Sequence, residues 1–206
     1  MTPPPHAPRV HARLAFGAGG LAAHGALRCD FGAPRAVLQT HELSDVRAVI
    51  EAAEAAARAG AWVVGWLAYE AAAAFDPALP TPAPAGPLAW FGVHDKPLDA
   101  PGPVAVAYAV CMAWEPAPGE RAAFERALHG LLQAIEAGEL YQVNHTARWH
   151  GELQQGCALD VLESLRREQP TAYAAFVDAV DHQVLSVSPE LFFDWDGAEV
   201  LTRPMK

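Results

Sequence analysis

Apolar positions fall at helical spacing in three stretches of the chain, and alternate or run together in several others. Val46, Val49, Ile50, Ala53 and Ala57 line one face of a predicted helix that Ser44 is placed to cap. Gly60 is placed to end it in the left-handed conformation. Phe124, Leu128, Leu131, Leu132 and Ile135 mark a second helix closed by Gly138, and a third is predicted over 158–168, stopping before Pro170. The run AWVVGWLAYE, nearly continuous in apolar residues and rich in Val and aromatics, predicts a buried strand. Residues 76–103 hold eight of the eighteen prolines and read as a long surface connection with a short strand near Trp90. VAVAYAVCMAW predicts another strand. In LYQVNHTARW, Tyr141, Val143, His145, Ala147 and Trp149 alternate with Leu140, Gln142, Asn144, Thr146 and Arg148, as on the two faces of a strand. Further strands are expected near 172–178 and 182–188, followed by a hairpin through Asp196-Gly197. This order of elements predicts an α+β fold with mainly antiparallel sheets and flanking helices.

Composition narrows the functional classes. With 52% hydrophobic and 18% charged residues, the chain of 206 residues can bury a sizeable core. A net charge of −10 argues against nucleic-acid binding, which needs clustered Lys and Arg. It also denies an anionic substrate long-range steering, so local charge or a bound cation must handle one. Three cysteines, Cys29, Cys111 and Cys157, with no CxxC spacing, fit free thiols in a reducing cytosol. No secretory signal and no apolar run of about 18 residues occurs, so a cytoplasmic protein without a membrane partner is expected. Residues 1–8 are proline-rich and expected to be disordered. FGAGGLAAHG fits neither phosphate-loop spacing and reads as a glycine turn.

Candidate chemistry lies in the second half. Gln142, Asn144 and Thr146 offer amides and a hydroxyl that suit the orientation of a small polar ligand; the same residues also suit the solvent face of an edge strand. Glu190, in SVSPELFF, stands beside bulky apolar residues that would desolvate it and favour a general acid, although an exposed glutamate at a strand start has the same sequence. Lys206 follows Pro204 and Met205. In an apolar interior such a lysine would lose its charge and become a nucleophile, and at a solvated strand end it would not. A two-residue Asp196-Gly197 turn pairs Glu190 with Arg203 and turns Lys206 to the other face. A three-residue Trp195-Asp196-Gly197 loop pairs Glu190 with Thr202 and puts Lys206 on the same face. No HExxH, no His/Cys cluster at metal-ligand spacing and no G-x-S-x-G elbow is present.

IEAGELYQVNHTARW, PTAYAAFVDAVDHQVLSVSPELFF and VLTRPMK together resemble the chorismate-utilising enzymes, the family of anthranilate, aminodeoxychorismate, isochorismate and salicylate synthases. The likeness runs in order through about residues 120–206, and GWLAYEAAAAFDP resembles the family's N-terminal part more loosely. It implies an incomplete anthranilate synthase component I-like sandwich, with residues 9–206 forming the N-terminal part of one chorismate-binding domain cut at its C-terminal end. Water-using members carry a lysine base where this chain has Gln142, so Gln142 resembles the ammonia-using members. Anthranilate-forming members usually carry alanine where this chain has Lys206, and a lysine there resembles the aminodeoxychorismate-forming ones. The resemblance implies Lys206 as nucleophile, Glu190 as proton donor, and Gln142, Asn144, Thr146 and Thr202 as substrate contacts. It also implies Mg²⁺ held by glutamates of the missing C-terminal half, with no metal ligands here, and a glutamine amidotransferase subunit as ammonia source. The chain departs from the family at His145 and Thr146, which stand where an apolar residue and a serine are usual. A non-catalytic module that binds tryptophan, as relatives do in their N-terminal region, is the alternative from another class.

Overall fold

The computed structural model describes residues 9–16, 27–99, 110–115, 120–170 and 173–204. The expected disorder of 1–8, the glycine stretch at 17–25 and most of the strand expected before Cys111 lie outside these residues. Helices and several antiparallel sheets are mixed along the chain, as the α+β expectation requires. Two units are distinguished, one of Met1–Ala105 with Leu162–Lys206 and a smaller one of Val106–Val161.

The larger unit is built on two antiparallel sheets. One contains β1 (Ala12–Phe16), β2 (Leu27–Phe31), β8 (Tyr173–Asp178) and β9 (Gln183–Ser188) in the order β2-β1-β8-β9. The other places β5 (Ala89–His94) between β3 (Ala36–Thr40) and β4 (Trp62–Leu67). Ala12, Phe31, Val177 and Ala179 from the first sheet and its turn meet Val64 and Trp90 from the second in one apolar core. Phe31 is fully buried, which stabilises the fold by about 2–3 kcal/mol relative to an exposed ring. Trp66 stacks on Trp90 with ring centroids 4.9 Å apart.

Helix α1 (Val46–Arg58) covers the second sheet through Val46, with Ala71, Leu88 and Ile50 around it. Its start differs from expectation. Ser44 lies inside a short 3₁₀ turn, Leu43–Asp45, and donates to Asp45 Oδ1 at 3.0 Å instead of capping the helix. The expected stop is present: Gly60 has φ +92°, and the amides of Gly60 and Ala61 return to the carbonyls of Ala57 and Ala56.

Two strands reverse their expected importance. AWVVGWLAYE forms β4, but only Val64 is buried there, because β4 is a sheet edge. The strand in the proline-rich stretch, β5, is the central one, with five of its six residues buried. Arg13 is 2% exposed on the face of β1 opposite Leu14. Its Nε donates to Asp30 Oδ1 at 2.6 Å, its Nη2 to Asp30 Oδ2, and its Nη1 to Glu163 Oε1 at 3.0 Å. Glu163 belongs to α3 (Ala158–Glu168) and also accepts from Arg166 at 2.8 Å, so a fully paired charge cluster ties this helix to β1.

The smaller unit pairs β6 (Cys111–Glu115) with β7 (His150–Gln155) and holds α2 (Glu120–Glu136) between them in sequence. Gly138 closes α2 as expected, with φ +75° and with Glu139 N donating to Ala134 O at 3.0 Å. The apolar face of α2 is formed but not covered: Phe124, Leu128, Leu132 and Ile135 are all exposed.

Candidate active site

The candidate residues divide between the two units. Gln142, Asn144 and Thr146 lie in the smaller one, in a segment from Tyr141 to Trp149 that has no regular secondary structure. The strand expected there does not form, and the strand begins at His150 instead. Alternation of side chains does not make a strand unless a neighbour takes up its backbone hydrogen bonds, and no described residue pairs with this segment. The alternation still has structural meaning. His145, Ala147 and Trp149 line a hollow of about 390 Å³ together with Arg121 and Phe124, and Phe124 approaches the His145 ring at 5.5 Å. Gln142, Asn144 and Thr146, the polar set, do not line it and are exposed.

Glu190 and Thr202 belong to the hairpin of β10 (Leu191–Trp195) and β11 (Val200–Arg203) in the larger unit. Glu190 precedes β10 at a tight turn in which its amide donates to Ser188 Oγ at 3.2 Å and Ser188 Oγ donates to the Glu190 carbonyl at 2.9 Å. Its side chain is exposed, as are Phe192 and Phe193, so these neighbours do not supply the desolvation the sequence suggested. Thr202 is exposed on β11. Lys206 lies outside the described residues.

Neither expected hairpin register is the one observed. Trp195 pairs with Val200, so the loop has four residues, Asp196 to Glu199. Asp196 Oδ1 accepts from the amides of Ala198 and Glu199, each at 2.9 Å, and holds this wider loop closed. Gly197 takes the left-handed conformation as expected, with φ +98°. Leu191 pairs with Arg203, and the register slips between Leu191 and Asp194, where Phe192 and Phe193 together face Thr202. Glu190 therefore opposes neither Thr202 nor Arg203.

Among the described residues no group of three or more His, Cys, Asp or Glu side chains is arranged to hold a metal ion. No helix among the described residues is long and apolar enough to cross a membrane.

Sequence reading missed Arg13, Asp30, Glu163 and His94. The signal for the first two was a charged residue inside each of two short apolar strands, HARLAF and RCDF, at positions that pair across the ladder.

Residues 112–206 match the family described as chorismate binding enzyme. The chain is 30% identical over 89 residues to aminodeoxychorismate synthase component 1 of Bacillus subtilis (strain 168), a match covering 43% of this chain and 19% of that protein. It is 32% identical over 72 residues to the protein of the same name from Salmonella typhimurium, covering 35% and 16%. Against anthranilate synthase component 1 3 of Haloarcula marismortui it is 30% identical over 84 residues, covering 41% and 16%. The matched part spans less than a fifth of the length of each of these three curated relatives. No solved structure matches. Over its C-terminal part, then, the chain resembles the chorismate-utilising enzymes.

Proposed function

We propose that the chain is the N-terminal part of an aminodeoxychorismate synthase component I, converting chorismate and ammonia to 4-amino-4-deoxychorismate for p-aminobenzoate and folate synthesis. The observation that carries this reading is the choice of residues at two positions within the matched segment 112–206: glutamine at 142 and lysine at 206. Glutamine removes the base that would activate water, and lysine supplies an amine able to attack carbon.

In this reading neutral Lys206 adds through Nζ to C2 of chorismate as the C4–O bond breaks, and Glu190 gives its proton to the departing hydroxyl, which leaves as water. Ammonia then forms a bond to C4 while the C2–Nζ bond breaks and returns the amine. Gln142, Asn144, Thr146 and Thr202 contact the substrate. Ammonia is delivered by a glutamine amidotransferase partner. Dividing one difficult substitution into two displacements is the general advantage of covalent catalysis. The match to an archaeal anthranilate synthase supports a second reading, anthranilate synthase component I, in which no lysine adduct forms.

Product analysis tests the choice. The complete polypeptide, given chorismate, ammonium and Mg²⁺, is expected to yield 4-amino-4-deoxychorismate; anthranilate as sole product overturns the proposal. The 206-residue chain alone is expected to show no turnover.

A further inference from the structure

The two sheets of the larger unit part at the β3 edge, and a cleft of about 400 Å³ opens between them. Pro34, Val37, Gln39 and Trp90 form one wall, and Asp178 with the turn Ala179–Asp181 forms the other. Val37 pairs with Gly92, whose missing side chain leaves this part of the inner sheet face bare.

Three observations set the cleft apart from an ordinary seam between sheets. Asp178 is 3% exposed, and its Oδ2 is held by Arg9 Nη2 at 2.6 Å, from a side chain itself 70% exposed. The turn that carries the wall is strained: Val180, β-branched, has φ +78° and is pinned by its amide donating to Asp178 Oδ1 at 3.1 Å. Finally, His94 is buried and its Nε2 has no hydrogen-bond partner. That nitrogen faces the space left by Gly92. A Cβ on Gly92 would lie 3.0 Å from Nε2, 3.1 Å from Trp90 Cη2 and 3.2 Å from Pro34 Cβ, and the last two residues line the cleft.

Acceptors predominate among the buried groups at this end of the sheets. Burial lowers the pKa of the His94 ring against the pull of its hydrogen bond to the Gly32 carbonyl, so the ring is neutral near pH 7. Since Nε2 is unpartnered, Nδ1 donates to Gly32 and Nε2 is left as an acceptor. The Asp178 and Asp181 carboxylates are acceptors as well. Trp90 contributes an aromatic surface suited to methylenes or to a planar cation. Gln39 and His11 also line the cleft and can donate, so its preference for a cation rests on the Asp178 and Asp181 carboxylates.

We propose that this cleft is a binding site for a small alkylguanidinium cation, whose N–H groups bond Asp178 in place of Arg9 and whose alkyl part lies against Trp90. Arg9 is the internal stand-in for that ligand: the same planar fork, tethered near the N-terminus and free to swing into solvent. The cleft shares no lining residue with Glu190, Thr202 or the 141–149 segment, and the proposal does not depend on the function proposed above.

Calorimetric titration of the chain with agmatine tests it. Saturable one-to-one binding is expected, at least threefold tighter in Arg9→Ala, where the competing guanidinium is gone, and at least tenfold weaker in Asp178→Asn. Should Asp178→Asn fail to fold, Val37→Trp, which fills the cleft from an exposed edge position, is expected to abolish binding with the fold intact. Absence of saturable binding in both the natural chain and Arg9→Ala overturns the proposal. So does equal binding of the uncharged isostere 4-aminobutylurea with its amine acetylated.

Discussion

Leu191 stands opposite Arg203, and between that pair and the loop the two residues Phe192 and Phe193 are set against the single residue Thr202. The four-residue loop moves the register one way and the bulge moves it back by one. The net shift is one residue from the simple Asp196-Gly197 turn. One step past Leu191–Arg203, this register would set Pro204, beyond the end of β11, opposite Glu190.

The register rests on Asp196, whose carboxylate accepts two loop amides. Asp196→Ala is expected to cost about 1 kcal/mol and to lower protection of the hairpin amides, read by urea unfolding and hydrogen exchange. Gly197→Ala, forced into φ +98°, is expected to cost a similar amount.

Arg13 is a buried cation whose partners are all carboxylates. Hydrogen bonds from its guanidinium to Asp30, and then to Glu163, hold it charged and raise its pKa despite burial. Arg13→Ala leaves the buried Asp30 carboxylate without its cation, while Glu163 keeps Arg166, and is expected to destabilise by about 3–5 kcal/mol in chemical denaturation. Replacing Arg166, whose side chain is more exposed, is expected to cost far less.

Gly65 is a steric prediction. A Cβ there would lie 2.0 Å from the Trp90 carbonyl oxygen and 2.8 Å from Phe91 Cα, both backbone atoms of the central strand. Gly65→Ala is therefore expected to break the β4–β5 pairing and to lower the thermal midpoint steeply, whereas Gly86→Ala, with nothing within 4 Å, has no such clash.

The Arg9–Asp178 pair sets a pH dependence. Desolvation pushes the Asp178 carboxyl up, but hydrogen bonds from Arg9 and the Val180 amide outweigh it and hold the group below the ordinary carboxylate range. A depressed folded-state value stabilises the protein above the unfolded value of about 3.9, and that contribution disappears as pH falls from there through the folded value. Arg9→Ala is expected to lose at most about 1 kcal/mol at pH 7, Arg9 being largely exposed, and the gap to the natural chain is expected to narrow below about pH 4.

Local signals were legible in the sequence and long-range ones were not. Gly60 and Gly138 end their helices as read, because a left-handed stop depends on one residue and its own turn. The strands β8 and β9 and the left-handed Gly197 were legible for the same reason. What failed depends on neighbours. The central position of β5 and the edge position of β4 are set by strand order, and the irregular path of 141–149 by the lack of a pairing strand among the described residues. The helical spacing of α2 identified its apolar face correctly but carried no information about whether anything covers it. Residue types of the candidate site were legible, but the turn at Glu190 and the bulge facing Thr202 depend on strand register, which no local stretch specifies.

Covalent attachment through Lys206 is the central claim, and intact-mass spectrometry tests it most directly. The complete polypeptide incubated with chorismate and Mg²⁺ in the absence of ammonia is expected to gain the mass of chorismate less one water, mapped by proteolysis to Lys206 and discharged on adding ammonium. An unmodified protein that turns over chorismate and ammonia, with Lys206→Ala matching its rate, would contradict it.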